Sequence, residues 1–186
     1  MKTLVYSCVM ICGFGFSYNL FFDHVKAKRF LGFEGKIYQT GWDARCTKKV
    51  LDSALVVIFN EGDCTTDSLL FTEGGNYDFG LPLNSQFMVS VCKSGFVAKK
   101  LHINTNVPRF YREETTMEFE MDLYKKIDAV DASILDNPVA EIYYNVQLKD
   151  FDYDKAFTDE VNRKVKTAYE EYYRKNAKTK AMIISR

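Results

Sequence analysis

The 186-residue chain is short of the residue types on which several functional classes depend. It has two histidines, three prolines and one tryptophan, and its 25 basic residues are balanced by 25 acidic ones. A net charge of zero leaves no basic excess, so nonspecific binding to DNA or RNA is not expected. The scarcity of proline, together with 12 Tyr and 15 Phe, argues against a disordered chain. We predict one compact domain plus an extension.

The chain also lacks the signatures of the common catalytic centres. It contains no GxSxG, HExxH, GxxxxGKS/T or GxGxxG motif in a suitable context, and no CxxC pair. His24 lies beside Asp23, and His102 stands between Leu101 and Ile103, so both histidines are expected at the surface. Nothing in the sequence brings a particular pair of carboxylates together. The sequence therefore predicts no catalytic residue, no cofactor and no enzyme activity.

The first 17 residues differ from the rest of the chain. Lys2 precedes an apolar stretch at 4–12, and small residues follow it, which is the pattern of a secretory signal peptide. We predict cleavage after Ser17, with Ala27 as a second choice. The alternative is a retained membrane anchor, because the apolar stretch continues through 14–22. The protein is thus expected in the periplasm or at the outer-membrane periphery, with membrane contact only through a partner or an uncleaved N-terminal segment.

Cleavage would leave three of the five cysteines, Cys46, Cys64 and Cys92. Cys46 and Cys64 lie in polar stretches, whereas Cys92 ends an apolar strand and is expected to behave as a small hydrophobic residue. In an oxidising compartment a Cys46–Cys64 disulfide is one prediction, and three reduced thiols is the other.

Alternating apolar residues predict a β-rich core. The segment 74–105 holds three alternating stretches separated by turns at 84–85 and 93–95, and we interpret it as a three-stranded antiparallel meander. A turn is also predicted at 60–63, and a hairpin is predicted at 73–76. The other strand candidates are 30–38, 54–59, 68–72 and 117–123. Seven short, closely spaced strands are typical of a mainly β sandwich rather than of βαβ units.

The order of these segments resembles a known domain family. The matching stretches are GKIY at 35–38, ALVVIF at 54–59, GGNYDFGLPL at 74–83 and VSVCKSGFVAKK at 89–100. They resemble the carboxypeptidase regulatory-like, or transthyretin-like, domains, with Phe96 where tyrosine is frequent. The sequences of these stretches are most similar to those of envelope proteins of Bacteroidota, some of which resemble components near type IX secretion and outer-membrane assemblies. The resemblance covers 32–123 and implies a seven-stranded transthyretin-like or Ig-like β-sandwich over 30–124, without carboxypeptidase activity, since it concerns the accessory β-domain.

Two further segments flank this predicted sandwich. Residues 18–29 form an N-terminal lead, and residues 125–186 form an extension. Within the extension, the segments 134–144 and 151–154 continue the same resemblance. Residues 139–146 are expected to form one further strand or an extended cover over the sandwich. A helix is predicted at about 154–176, docked on the sandwich by one apolar stripe and capped by Asp154 or Thr158. The stripe consists of Phe157, Val161, Val165, Ala168 and Tyr172.

Four aromatic residues are candidate ligand-binding residues. Trp42 lies in the long connection 39–53, and Tyr38, Phe110 and Tyr111 would join it in stacking on sugar rings if they are exposed.

Three aspartates, Asp150, Asp152 and Asp154, are weak candidates for a calcium site. An EF-hand loop counted from Asp150 would need glycine and glutamate where Lys155 and Val161 stand, so that motif is absent. A structural role is the favoured interpretation, in which the aromatic residues between the aspartates pack inward and Asp154 caps the helix.

Two functional hypotheses follow. The first is a non-enzymatic, exported accessory or structural module of an outer-membrane or secretion-related assembly, in which an edge strand or loop surface contacts an envelope protein partner. The alternative is a carbohydrate- or surface-ligand-binding β-sandwich module. No nucleic-acid partner is expected for either.

Overall fold

The computed structural model describes residues 29–40, 48–70, 74–111 and 115–184. The predicted signal peptide at 1–17 and nearly all of the lead at 18–29 lie outside this part of the chain, so they stay predictions.

The described strands form two mixed sheets, and one helix ends the chain's described part. The elements are β1 (Phe30–Thr40), β2 (Lys48–Val50), β3 (Leu55–Asn60), β4 (Thr65–Leu70), β5 (Asn76–Pro82), β6 (Gln86–Cys92), β7 (Lys99–Asn104), β8 (Thr115–Glu118), β9 (Met121–Leu123), a 3-10 turn (Ser133–Asp136), β10 (Ala140–Asn145), β11 (Asp150–Tyr153) and α1 (Lys155–Ile184). The predicted class, a mainly β sandwich with one C-terminal helix, is confirmed. Eleven strands are described instead of the predicted seven. β2 lies in the predicted connection 39–53, the predicted strand at 117–123 is divided into β8 and β9, and the predicted extension supplies β10 and β11.

The smaller sheet is built around β1. The first half of β1 pairs with antiparallel β5 and parallel β8, and its second half pairs with antiparallel β2 and parallel β9. The change of partner occurs at Ile37, whose N–H donates to the Gly75 carbonyl at 3.0 Å and whose carbonyl accepts from Leu51 at 2.8 Å. Five short strands therefore make a sheet in which β1 is always central.

The larger sheet has the order β11-β10-β7-β6-β3-β4. All neighbours are antiparallel except β10 and β7, which run parallel. The core lies between the inner faces of the two sheets, where alternate residues of β5, β6, β7 and β9 are buried. The fully buried residues include Leu31, Phe33 and Ile37 of β1 and Val56, Val89, Leu101 and Ile103 of the larger sheet.

The predicted meander at 74–105 is wrong, because β5 and β6 belong to different sheets. Thr105 explains the crossing between them. It is fully buried, its hydroxyl accepts from the Ser85 N–H at 3.0 Å, and the same oxygen lies 2.8 Å from the Pro82 carbonyl. These bonds, with the main-chain bond from Asn84 to Thr105 at 2.9 Å, hold the 84–85 turn against the end of β7. Only β6 and β7 form the hairpin that the turn at 93–95 predicts.

The predicted hairpin at 73–76 is also wrong, whereas the turn at 60–63 is confirmed by the β3–β4 hairpin. Gly74 and Gly75 have φ of +66° and +62° and lead the chain into β5 of the smaller sheet. A Cβ on Gly75 would lie 2.7 Å from the Leu51 carbonyl oxygen, so glycine is required there by conformation and by space.

The single strand predicted at 117–123 is interrupted between β8 and β9. At the interruption the Phe119 N–H donates to the Glu34 carbonyl at 2.9 Å, and the Tyr77 hydroxyl reaches across β1 to donate to the Phe119 carbonyl. A Cβ on Gly35 would lie 2.4 Å from that carbonyl oxygen. The close approach over Gly35 is what lets one segment supply two parallel partners to β1.

The predicted extension at 125–186 is integrated into the sandwich. Its strands β10 and β11 widen the larger sheet, with Ile142 of β10 opposite Ile103 of β7. Two strands thus stand where one was expected.

The helix α1 begins as predicted, but its docking face and its end differ from the prediction. Asp154 caps it, as predicted, since its Oδ1 accepts from the Phe157 N–H at 2.9 Å. The predicted apolar stripe is partly wrong, because Phe157 is 42 % exposed and the buried face begins at Thr158. The buried residues of α1 are Thr158, Val161, Val165 and Tyr169. The helix also continues beyond the predicted 176.

Tyr169 accounts for the shift of the docking face. Its ring stacks on Tyr124 at a centroid distance of 5.3 Å, and its hydroxyl donates to the Lys125 carbonyl at 2.6 Å. Burial raises the pKa of Tyr169 to about 12. Within the described ranges, no helix has the length and hydropathy needed to cross a membrane.

Candidate functional site

The four aromatic candidates do not form one surface. Phe110 is 74 % exposed, but Tyr111 is buried. The Tyr111 hydroxyl lies 2.6 Å from Thr115 Oγ1, and its ring packs edge-to-face on Tyr144 and Phe151, at centroid distances of 5.2 and 6.2 Å. Tyr111 therefore serves the core at this position.

Tyr38 lies at the other end of the smaller sheet. Thr115 pairs with Leu31, whereas Asp122 pairs with Tyr38, so seven residues of β1 separate the two ends. At roughly 3.3 Å per residue this is about 23 Å, too far for one sugar ring to contact both Tyr38 and Phe110. Trp42 lies outside the described residues.

The three aspartates do not act together: Asp150 and Asp154 each accept one main-chain hydrogen bond. Asp150 Oδ1 accepts from the Phe151 N–H at 2.8 Å, and Asp154 caps α1. Phe151 is buried between them, as predicted. No group of three metal-ligating side chains occurs in the part of the chain that the structure describes.

The remaining predicted residues are quickly placed. His102 Nε2 lies 3.7 Å from Glu61 Oε2 on the outer face of the larger sheet, and His24 lies outside the described residues. Among the described residues, Cys64 and Cys92 form no disulfide. Because Cys46 is not among the described residues, the Cys46–Cys64 disulfide stays a prediction.

An exposed apolar surface occurs at the β10–β11 hairpin, and sequence reasoning missed it. Val146 and Leu148 at its tip are 67 % and 62 % exposed. The tip is ordered by Asn145, whose Oδ1 accepts from the N–H groups of Gln147 and Leu148 at 3.0 and 3.3 Å. We call Val146 and Leu148 the tip patch.

The base of this hairpin is held by aromatic packing. Tyr144 and Phe151 are cross-strand neighbours with a centroid distance of 5.6 Å, and Tyr111 packs against both. Such clusters add about 0.5–1.5 kcal/mol per ring pair beyond area burial. The tip patch is therefore presented on a stiff support.

A second feature is a small polar cavity between the two sheets and the start of α1. Its volume is about 70 Å³. It is lined by Lys99, Leu101, Phe119, Glu120, Met121, Asp122, Val139, Thr158 and Asn162. We call it the Lys99 cavity.

Lys99 occupies an inward-facing position of β7, two residues before buried Leu101. It is 6 % exposed, and its Nζ lies 4.9 Å from the centroid of the Tyr124 ring. Burial lowers the pKa of Lys99 to about 8, against the opposing effect of the Asp122 carboxylate. Counting back two positions from Leu101 along β7 places Lys99 on the inward face, but a search for alternating apolar residues passes over a lysine.

The charges around the cavity are balanced. Lys48 Nζ lies 3.3 Å from Glu120 Oε2 and 3.6 Å from Asp122 Oδ1. The Glu120 side chain is 58 % exposed and forms the solvent-facing rim. Asp122 Oδ1 and Thr158 Oγ1 are buried and have no hydrogen-bond partner among the described residues. The cavity thus offers an amine, a carboxylate oxygen and a hydroxyl.

Comparison with known proteins identifies no family. No family model matches the chain, and no curated protein sequence matches it. Among solved structures, it is similar to chlorocatechol 1,2-dioxygenase from Pseudomonas putida, with 11 % identity and a TM-score of 0.38, over 55 % of this chain and 63 % of that one. Catechol 1,2-dioxygenase from Acinetobacter sp. ADP1 is 14 % identical, with a TM-score of 0.39, over 62 % of this chain and 59 % of that one. A structure titled S.CueP is 14 % identical, with a TM-score of 0.34, over 53 % of this chain and 63 % of that one.

These likenesses correct one prediction and leave others untouched. Because dioxygenases are among the structures that the chain resembles, the prediction that it is not an enzyme is wrong as stated. The chain covers less than two thirds of each of these proteins, and at such identity and TM-score the likeness identifies no reaction. The β-sandwich fold is shown by the two sheets themselves, and no finer family assignment follows from these likenesses.

Proposed function

We propose that this chain is a protein-interaction module of the bacterial cell envelope and that the tip patch contacts its partner. The observation that carries the proposal is the exposure of Val146 and Leu148, at 67 % and 62 %, on a stiff hairpin. Neighbouring apolar side chains held out on a rigid support are typical of protein contact sites. Lys149 and Asp150 flank the tip with opposite charges, so the partner surface is apolar rather than strongly charged.

Two features of the sequence support the envelope as the setting. Residues 32–123 resemble the carboxypeptidase regulatory-like domains of Bacteroidota envelope proteins, and 1–17 has the pattern of a secretory signal peptide. On this proposal the protein is an exported accessory subunit of an outer-membrane or secretion-related assembly, in the periplasm or at the membrane periphery.

The test is mild cross-linking and co-purification of the C-terminally tagged protein from solubilised envelopes of its own host, with mass spectrometry of the retained proteins. The same purification is carried out with a Val146→Ser/Leu148→Ser variant. The matched control is Val50→Ser. Val50 is 42 % exposed and lies in β2 of the smaller sheet, whereas the tip patch belongs to the larger sheet.

The expected result is one stoichiometric partner that is retained by wild type and Val50→Ser and lost from the tip variant. Thermal denaturation should show that the tip variant is folded, because both side chains are exposed. A partner retained equally by all three proteins would refute the tip patch as the contact. Absence of any stoichiometric partner would refute the interaction module.

Carbohydrate or surface-ligand binding is the second candidate, favoured by the position of Tyr38. Its half-buried ring lies at the end of β1, directly before the segment that contains Trp42. On this proposal Tyr38 and Trp42 act without Phe110 and Tyr111. Glycan-array binding that is lost in Trp42→Ala would support it, and an inert array would count against it.

A further inference from the structure

The Lys99 cavity contains an amine that the rest of the fold does not use. In the described part of the chain, Lys99 Nζ makes no hydrogen bond and no ion pair, and its one close partner is the Tyr124 ring at 4.9 Å. Burying an ammonium group without a hydrogen-bonding partner costs several kcal/mol, and an apolar residue would fit the inward-facing position without that cost. Core packing therefore does not explain the lysine.

The surroundings of the amine restrict the ligand that would fit. A cavity of about 70 Å³ exceeds the share of a single water, about 30 Å³, so a molecule of a few heavy atoms can enter. With Lys99 protonated, Lys99 and Lys48 balance Glu120 and Asp122. With Lys99 as the free amine, the four groups carry one net negative charge, which disfavours an anionic ligand. The unbonded Thr158 hydroxyl is available as a donor to a polar oxygen.

We propose that Lys99 is an imine-forming amine that takes a small neutral aldehyde or ketone in the Lys99 cavity. The Nζ lone pair adds to the carbonyl carbon and gives a carbinolamine, whose oxygen the Thr158 hydroxyl stabilises. Loss of water, formed from that oxygen and the amine hydrogens, gives the imine, and no oxidant or reductant takes part. Asp122 lies at the cavity wall as the acceptor for the proton released during addition.

The lowered pKa of about 8 makes the amine available for this chemistry. At pH 7 roughly a tenth of Lys99 is unprotonated, about 300 times the fraction for a lysine with the ordinary value. Tyr124, Asp122, Lys48 and Glu120 are the other titratable groups around the amine. The Lys48 charge also lowers the pKa of Lys99, whereas the Asp122 carboxylate opposes this shift. The Tyr124 hydroxyl, whose pKa burial raises to about 12, stays protonated in this range.

The experiment is reductive trapping on the full chain. The protein is incubated with propanal and a hydride reductant that reduces the imine, and peptide mass spectrometry measures propylation at each lysine. Lys100 is the internal control, because it is the next residue of β7, it lies on the opposite face, and its Nζ donates to the Asp136 carbonyl at 2.7 Å. Both rates come from the same folded molecules.

Labelling at Lys99 is expected to be roughly tenfold or more faster than at Lys100 at pH 7, with a rate that rises towards a plateau above pH 8. Thr158→Val should slow Lys99 labelling and leave Lys100 labelling unchanged. Equal or slower labelling at Lys99 than at Lys100 would overturn the proposal. So would uniform labelling of exposed lysines with Lys99 unmodified.

Discussion

The hydroxyl of Thr105 offers the sharpest test of how the two sheets are joined. Thr105→Val keeps the shape of the side chain and removes an oxygen that accepts from Ser85 N–H at 3.0 Å and bonds the Pro82 carbonyl at 2.8 Å. Leaving a buried donor unpaired costs about 1–3 kcal/mol, and loss of the donated bond adds about 1 kcal/mol. We expect a fall of about 2–4 kcal/mol in the free energy of unfolding.

Urea denaturation followed by far-UV circular dichroism measures this change, with the slope checked for two-state behaviour. In a domain of this size the melting temperature should fall by roughly 4–16 °C. Thr105→Ser is the matched control, because it keeps the hydroxyl and loses only a methyl group. A Thr105→Val loss below about 0.5 kcal/mol, or one no larger than that of Thr105→Ser, would refute the role of this oxygen at the crossing.

Three further predictions concern the smaller sheet, the helix and the buried amine. Gly35→Ala should lower the free energy of unfolding by about 1–3 kcal/mol or more, since its Cβ would lie 2.4 Å from a carbonyl oxygen. Gly80→Ala is the control in the same denaturation assay and should be tolerated, because its Cβ would lie 3.5 Å from the nearest atom. Tyr169→Phe should cost about 1–2 kcal/mol through loss of its 2.6 Å hydrogen bond, and the exposed Tyr173→Phe should change little. At pH 7 Lys99→Met should stabilise the protein by up to about 3 kcal/mol, because a pKa of about 8 in the folded state means that protonation favours the unfolded chain. This gain should shrink between pH 8 and 10.5, where Lys99 is deprotonated in the folded protein. A gain that does not depend on pH would contradict the lowered pKa of Lys99.

Most of the strands could be predicted from the sequence, but their neighbours could not. Alternation in 76–82 and 86–92 shows that one face of each strand is buried, and both strands are present with that face inward. Alternation is the same whether the next strand lies beside the first or in the opposite sheet. The partner of β5 was decided by Thr105 and by the glycine turn at 74–75, which are tertiary features.

The helix and the cavity show the same limit in different form. Asp154 as cap is a local property and was predictable, but the choice of Thr158 and Tyr169 for the docking face depends on Tyr124, far away in the sequence. Lys99 could have been placed inside from the register of Leu101 alone. Its neighbours Asp122 and Thr158 come from other elements, so the composition of the cavity is not readable from any one segment.

The pairing of β1 has a consequence for biosynthesis. Its partners range from β2, which begins eight residues after β1 ends, to β9, which ends at Leu123. At about 5–20 residues per second, the ribosome needs roughly 4–17 s to extend the chain from Thr40 to Leu123. Pairings so distant in sequence also close slowly. For several seconds after β1 is synthesised, therefore, its pairing stays incomplete, because β8 and β9 do not yet exist, and its apolar residues are open to chaperones.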